Sequence, residues 1–338
     1  ILDGVFNHIS SSHFLFRDVL EKGRESQYFS CFYRLPEHPR LPVPGEMPSY
    51  TCFSYVPNMP KTNTADPWLR RYFCEVGTYW IRKFSVDGWR LDVANELDDG
   101  FLRAFRTAVK EAKPDALIVG EVWENAAHYL NGDMLDSAMN YDFRRYCRRF
   151  FAEDSVNAEI FDANISALLF RYRESALFAQ LNLLDSHDVS RFFSLCAEDT
   201  ARMELSIVLQ MTFPGMPCVF YGDEKGLAGI QEWEYRQAMA WDKSHPLEDV
   251  YRKLIALRKA HPALRYGSFR TELAAGKVYR YSRLWDGRKV TVTMNLGSTP
   301  LPVPEKGTLL LKKGEKRAII QAWEYEVREE EIHGGNDL

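Results

Sequence analysis

The sequence predicts an α/β fold in which a parallel sheet with helical crossovers is followed by a small antiparallel β domain. Apolar strands alternate with helical patterns between about residues 66 and 262, and short β-type runs replace them from about residue 268. Alternation of this kind is typical of parallel sheets. Acidic residues follow the predicted strands, at Asp92, Glu121, Asp142, Asp188 and Asp223. Such strand ends favour the catalytic face of a (β/α)8 barrel, and an open doubly wound sheet is the alternative.

Helices are predicted from caps and from the spacing of apolar residues. Asp66 and Pro67 form an N-cap and a first-turn proline, and Leu69 and Phe73 begin an apolar face behind them. Further helices are predicted at about 99–114, 156–172, 200–213 and 249–260.

The predicted strands of the parallel sheet are short apolar runs. They lie at about 1–2, 88–93, 116–122, 135–141, 179–184 and 217–221. A closed barrel of this class needs about eight strands, so these six leave it incomplete. Because the chain opens like the middle of a strand, we expect that an N-terminal part of the barrel precedes Ile1.

The predicted domains are a barrel over residues 1–267 and a β-sandwich over residues 268–338. Residues 9–63 are polar, aromatic and rich in proline, and an excursion of that length from a sheet is usually functional. In the second domain, strands are predicted at about 277–284, 289–295, 308–311 and 318–327.

Composition excludes several classes of protein. With 43 basic and 47 acidic residues the net charge is −4, which offers no basic surface for nucleic acid. Apolar runs are shorter than the roughly 20 residues that a membrane span needs. The six cysteines are scattered without a Cys-x-x-Cys pair, which favours free thiols in a reducing compartment and predicts a cytoplasmic protein.

Two carboxylates stand in contrasting predicted surroundings. Arg90 and Asp92 share one face of a strand, and an arginine favours the ionised carboxylate that a nucleophile needs. Glu121 follows the apolar run 116–119, and an apolar wall favours a protonated acid. Such a pair is the equipment of glycoside hydrolysis, and His187 with Asp188 adds an imidazole and a third carboxylate.

Each of these residues also has a simpler interpretation. Arg90 and Asp92 alone could form a structural ion pair. Glu121 alone could be an exposed strand-end residue, and His187 a hydrogen-bonded packing residue. Trp123 could be a core or rim aromatic side chain.

Several ordered motifs together carry a family resemblance. Asp3-Gly4-Val5-Phe6-Asn7-His8, Gly88 to Glu96 (Gly-Trp-Arg-Leu-Asp-Val-Ala-Asn-Glu), Glu121-Val122-Trp123 and Ser186-His187-Asp188 resemble the four signatures of the α-amylase family of retaining glycosidases. Met59 to Asn63 and Gly215 to Glu224 resemble further family segments. Within the family, the chain is most similar to the cyclomaltodextrinase, neopullulanase and maltogenic amylase group.

The resemblance implies a role for each matching residue. Asp92 would be the nucleophile, Glu121 the general acid and base, and Asp188 the stabiliser of the transition state. Arg90 would orient Asp92, and residues 9–63 would form the family's domain B. The implied substrate-binding residues are His8, Arg90, His187, Trp123, Asn95 and Glu96.

The resemblance also implies a class of substrate and bears on whether a metal is needed. The expected activity is retaining hydrolysis of α-1,4 bonds in maltooligosaccharides, cyclodextrins or pullulan, and the expected full-length protein is a homodimer. An inactive truncated product or a non-catalytic glucan-binding relative is the alternative. Lys61 stands where calcium-dependent α-amylases commonly carry Asp, so we expect no calcium there, no metal ligand and no required cofactor. Structural calcium at another position is the alternative. Glu124 stands where this group usually has His.

Overall fold

A computed structural model describes residues 1–315 and 318–332. The chain forms two compact units, Ile1–Met139 and the part from Asn140 onward. The predicted boundary at residue 267 separates a barrel from a β-sandwich. The division into two compact units does not test that boundary, which stays a prediction. Residues 333–338 of the predicted C-terminal domain lie outside the described residues.

The first unit is built on a four-stranded parallel sheet whose strands lie in chain order. In this unit the Asp66 carboxylate caps the helix Pro67–Phe84 as predicted. It accepts hydrogen bonds from the backbone N–H groups of Trp68 and Leu69 at 2.9 and 3.0 Å. The strands are β1 (Leu2–Gly4), β2 (Gly88–Leu91), β3 (Leu117–Gly120) and β4 (Ser137–Ala138), and the helices are α1 (Phe14–Lys22), α2 (Pro67–Phe84) and α3 (Asp99–Ala112).

Strand β2 begins at a glycine that no other residue replaces easily. Gly88 has φ +151°, and a Cβ atom there would lie 2.0 Å from the carbonyl oxygen of Leu117 on β3. We therefore expect Gly88→Ala to lower the free energy of unfolding by roughly 2–6 kcal/mol, from backbone strain and overpacking together. Gly276→Ala is the control, because Gly276 also has a positive φ but open space around it. Thermal unfolding of both variants measures the difference, and equal losses would contradict the steric argument.

The excursion at residues 9–63 is ordered by local contacts of the first unit. Besides α1 it contains three short 3-10 turns, and isolated antiparallel bridges join His8 to Lys61 and Phe32 to Thr62. The ring of Phe16 packs 5.0 Å from the ring of Phe32. The excursion is therefore a folded segment, and its assignment as a domain B stays a prediction.

The second unit begins with helices around a two-stranded parallel sheet, β5 (Leu181–Leu183) and β6 (Met216–Cys218). No helix in residues 1–315 or 318–332 is long and apolar enough to cross a membrane. The helices are α4 (Tyr141–Cys147, continued by a π-helical turn at Arg148–Ala152), α5 (Ala158–Arg171), α6 (Glu174–Ala179), α7 (Phe192–Leu195), α8 (Thr200–Thr212), α9 (Glu232–Tyr235), α10 (Leu247–Ala260) and α11 (Pro262–Tyr266).

The strand predicted at 135–141 is wrong beyond two residues. Asn140 caps helix α4, since its Oδ1 accepts the N–H of Phe143 at 3.1 Å. Asp142 therefore lies in the first turn of α4 and not at a strand end, and its carboxylate pairs with Arg145 and Arg171. Asp142 is thus a structural residue of the helix.

An antiparallel sheet completes the second unit and confirms the predicted change of pattern near residue 268. Its strands are β7 (Ser268–Ala275), β8 (Val278–Trp285), β9 (Arg288–Asn295), β11 (Thr308–Lys312) and β13 (Glu324–Glu331). They lie in the order β11-β13-β9-β8-β7. The ring of Tyr279 packs 5.1 Å from Phe161 of α5, and Phe269 packs 5.3 Å from Phe213, so the sheet and the helices share one aromatic core. Two further short strands, β10 (Leu301–Pro302) and β12 (Ile319–Ile320), pair with each other.

Candidate active site

Arg90 is the centre of a carboxylate cluster at the end of strand β2. Its Nη1 atom lies 2.8 Å from Oδ1 of Asp3 and 2.8 Å from Oδ1 of Asp92. Its Nη2 atom lies 2.9 Å from Oε1 of Glu121. The sheet creates this arrangement, because Arg90 lies opposite Asp3 in the β1–β2 register and Asp92 follows two residues later. One guanidinium therefore contacts both carboxylates that the sequence singles out for catalysis.

The same contacts keep the arginine charged. Burial is the largest effect and lowers the pKa of Arg90, but the carboxylates of Asp3, Glu121 and Asp92 together raise that pKa by more. A guanidinium also presents several N–H donors in one plane, so it can meet more than one carboxylate at once. Arg90 is thus suited to hold two carboxylates in a fixed relation.

Glu121 is more buried than an exposed strand-end residue would be, with 3% of its side chain exposed. The expectation of an apolar wall is wrong for its carboxylate oxygens. Oε1 meets Arg90, and Oε2 accepts the backbone N–H of Val93 at 2.9 Å. The neighbouring apolar residues therefore predicted correctly that Glu121 is buried. They did not predict that its carboxylate oxygens contact an arginine and a backbone N–H.

The backbone is strained where it leaves strand β2. Val93 has φ 44° and ψ 48°, a left-handed conformation that is rare for a β-branched residue. Its N–H donates to the Glu121 carboxylate, and the next N–H, that of Ala94, donates to the Glu121 carbonyl at 2.9 Å. Strain of this kind concentrates at functional sites. The turn fixes Asp92 and Glu121 relative to each other.

A second polar cluster of the first unit surrounds Lys61. Its Nζ atom contacts Oδ1 of Asn7 and Oε2 of Glu96, and Asn7 also donates to Glu96 at 3.2 Å. The carboxylate of Glu96 is therefore already held by an ammonium and an amide. In the parts of the chain that the structure describes, no group of three or more His, Cys, Asp or Glu side chains could hold a metal ion.

His8 lies beside the Lys61 cluster and is buried. Its ring stacks on Phe53 with centroids 4.6 Å apart, and burial lowers its pKa. Asp92 is among the charges that act on the imidazole, and it raises the pKa by less than burial lowers it. His8 is therefore neutral at neutral pH and close to the predicted nucleophile. By contrast, Trp123 and Asn95 are exposed side chains.

His187 and Asp188 belong to the second unit, on the segment after strand β5. Nε2 of His187 lies 2.9 Å from Oδ2 of Asp188, and Nη2 of Arg236 lies 2.7 Å from Oδ1 of the same carboxylate. Nε of Arg236 also donates to the His187 carbonyl at 2.7 Å. Arg236 thus holds both residues.

Two charged residues of these clusters were given no role from the sequence. Asp3 could have been found from the register of β1 against β2, which places it opposite Arg90. For Arg236 the sequence carries no comparable signal, because Arg236 follows a short helix and no strand register places it beside Asp188.

Two carboxylates held near each other at strand ends are the arrangement that glycoside hydrolases use, and they indicate that class of protein. The family model for the α-amylase catalytic domain matches residues 1–245. The chain belongs to the α-amylase family. The predicted fold class, an α/β protein of the (β/α)8-barrel class with a C-terminal antiparallel sheet, is confirmed.

Curated relatives lie in the group that the motifs indicated. The chain is 42% identical over 306 residues to a cyclomaltodextrinase of Thermoanaerobacter pseudethanolicus, covering 88% of this chain and 52% of that protein. It is 39% identical over 340 residues to neopullulanase 2 of Thermoactinomyces vulgaris, covering 99% and 56%. The chain therefore spans about half the length of the curated relatives it matches.

Solved structures agree with the family assignment. A debranching enzyme of Nostoc punctiforme has a TM-score of 0.90 at 30% identity, covering 97% of this chain and 75% of that one. The structure of a cyclomaltodextrinase has a TM-score of 0.86 at 35% identity, covering 98% of this chain and 58% of that one.

Proposed function

We propose that this protein is a retaining α-glucan hydrolase that cleaves α-1,4 bonds in maltooligosaccharides, cyclodextrins or pullulan. The observation that supports this most directly is the contact of one arginine, Arg90, with both Asp92 and Glu121. Retaining glycosidases need a nucleophilic carboxylate and an acid/base carboxyl about 5–5.5 Å apart. A shared guanidinium is a simple way to set such a spacing.

The proposed reaction has two displacements. The Asp92 carboxylate bonds to the anomeric carbon while the bond to the departing sugar breaks, and Glu121 gives its proton to the departing oxygen. Glu121 then takes a proton from water, whose oxygen bonds to the anomeric carbon and releases Asp92. Two inversions return the α configuration.

The other predicted residues take supporting roles in this proposal. Asp188 holds sugar hydroxyls and stabilises the transition state. His187 and His8, which is neutral because burial lowers its pKa, bind hydroxyls at the cleaved bond. Exposed Trp123 and Asn95 are available to a bound glucan. Glu96 contributes through the cluster with Lys61, which holds its carboxylate.

Product analysis tests the proposal. Linear maltooligosaccharide, cyclodextrin and pullulan are each incubated with the protein, and proton NMR follows the fresh product. We expect new reducing ends with the α configuration. A β-configured first product would contradict the mechanism, and binding of the glucans without cleavage would favour the non-catalytic alternative.

The proposed cellular setting is the cytoplasm, with the full-length protein acting as a homodimer. All six cysteines lie in the described part of the chain, and each is a free thiol there. Free thiols are typical of reducing compartments.

Chelation tests the proposed independence from calcium. Because the Lys61 ammonium already meets Asn7 and Glu96, we expect activity to survive a chelator.

We expect Lys61→Met to lower the free energy of unfolding by roughly 1.5–3 kcal/mol, the usual worth of hydrogen bonds to a charged group. Lys113→Met is the control, since Lys113 pairs with the exposed Asp87 and should cost at most about 1 kcal/mol. The expected independence from calcium would be contradicted if a chelator abolished activity and calcium, but not magnesium, restored it.

A further inference from the structure

Two buried carboxyl groups lie directly behind the segment that carries His187 and Asp188. Asp185 follows strand β5 and Asp223 follows strand β6, and these strands pair in parallel. The two residues are 2% and 1% exposed, and their side chains are hydrogen-bonded to each other. A hydrogen bond between two carboxyl groups requires that one of them carry a proton.

Backbone N–H groups and the guanidinium of Arg191 donate to the pair. The backbone N–H of Phe192 donates to both oxygens of Asp185, at 2.7 and 2.9 Å. The N–H of Phe220 donates to Oδ2 of Asp223 at 3.1 Å, and Nη1 of Arg191 lies 3.0 Å from its Oδ1. Arg191 is fully buried, and its guanidinium contacts the carboxyl group of Asp223.

Other titratable groups face the pair from neighbouring elements. Burial raises the pKa of Asp185 and, further, that of Asp223, so a second negative charge is disfavoured. Burial also raises the pKa of each nearby thiol and hydroxyl, which are therefore neutral at neutral pH. The groups that face the pair are Arg144, Arg191, Tyr251, Cys196 and Cys218.

The pair and the two arginines fix both ends of one loop. Nε of Arg144 donates to the Leu184 carbonyl at 2.7 Å, and Nη2 donates to the Ser190 carbonyl at 2.9 Å. Asp185 holds the N–H of Phe192 beyond the loop. His187 and Asp188 lie between these fixed points, and so does Ser186, whose hydroxyl accepts the N–H of Asp188 at 3.2 Å.

We propose that Asp185 and Asp223 share one proton and act as positioning residues, holding the loop that presents His187 and Asp188. The part that concerns catalysis rests on the proposed function. Two adjacent carboxylates that share a proton titrate as a unit, so the charge belongs to the pair. An unshared second charge would repel the first and spread the ends of β5 and β6.

Infrared spectroscopy in heavy water tests the shared proton without any need for activity. At alkaline pH the ordinary carboxyl groups are ionised, so a remaining protonated carbonyl stretch reports a buried acid. We expect this band in the wild type and not in the double variant Asp185→Asn/Asp223→Asn. Asp136→Asn is the control and should keep the band, because Asp136 pairs with Lys110 and Arg106 and its pKa is lowered. A wild-type spectrum without the band would overturn the proposal.

Single variants test the positioning role. Asp185→Asn and Asp223→Asn each keep one carboxylate and one neutral hydrogen-bond donor, so we expect kcat within about tenfold of wild type. Asp185→Ala and Asp223→Ala remove the hydrogen bond, so we expect folded variants to lose about 10²-fold in kcat, the size of effect that misplaced groups cause. Backbone amide hydrogens of residues 185–192 should exchange faster in the alanine variants than in the wild type, and the asparagine variants should exchange at the wild-type rate.

The outcomes separate this proposal from the proposed function. A wild type that cleaves no glucan but shows the infrared band and the exchange pattern would contradict the proposed function only. Folded alanine variants with wild-type kcat and exchange would overturn the positioning role. So would asparagine variants as impaired as the alanine variants.

Discussion

Asp92→Asn is expected to lower kcat on maltooligosaccharides by on the order of 10⁴–10⁶, as removal of a catalytic nucleophile or its partners does elsewhere. An amide is a poor nucleophile, so the covalent step does not occur. Substrates with an acidic leaving group should give no recovery, because the missing bond is the one to the enzyme.

Glu121→Gln should lower kcat on the same substrates by roughly 10²–10⁴, the usual contribution of general acid–base catalysis. Here an activated α-glucoside should restore part of the first step, because its leaving group departs without a proton. The contrast between the two variants therefore assigns the roles. Asp133→Asn is the matched control, since Asp133 is exposed and pairs with Arg103. Recovery of Asp92→Asn rather than Glu121→Gln would reverse the assignment.

Arg90→Met is expected to affect both folding and catalysis. Removal of the guanidinium leaves Asp3, Asp92 and Glu121 without their shared cation. Breaking a buried ion pair on one side typically costs about 3–5 kcal/mol, and we expect a loss of that size. Loss of the fixed spacing should lower kcat/KM by at least about 10²-fold, comparable to removal of one electrostatic donor.

The pH dependence of that variant has a definite sign. A nearby cation favours ionised carboxylates, so its loss should move the acidic limb of the kcat/KM profile to higher pH. Arg103→Met is the control, because Arg103 is half exposed and its pairs should contribute at most about 1 kcal/mol. Thermal unfolding and pH–rate profiles of both variants measure these effects. An unchanged profile in Arg90→Met would contradict the role given to the cluster.

Local patterns in the sequence predicted much of the fold. The cap at Asp66 and the apolar spacing behind it predicted helix α2, and apolar runs predicted strands β2 and β3. The change of pattern near residue 268 predicted the antiparallel sheet. These features depend on helix caps and on the spacing of apolar residues within a few positions of one another, so a short window of sequence contains their signals.

The positions of the candidate catalytic carboxyls were also predictable, whereas their partners were not. Strand ends placed Asp92 and Glu121 at one edge of the sheet, where Arg90 contacts both. That Glu121 meets this arginine rather than an apolar wall depends on the register of β2 against β3. The strand expected up to residue 141 stopped early because the side chain of Asn140 caps a helix.

By itself the sequence determined the family, the fold class and the strand ends that carry the candidate catalytic residues. The tertiary structure decided which charges meet: Asp3 with Arg90, Lys61 with Glu96, and Asp185 with Asp223. The physical reason is that each pair joins residues at least 35 positions apart. Their distance depends on strand register and packing rather than on any local pattern, and burial then determines how strongly they interact.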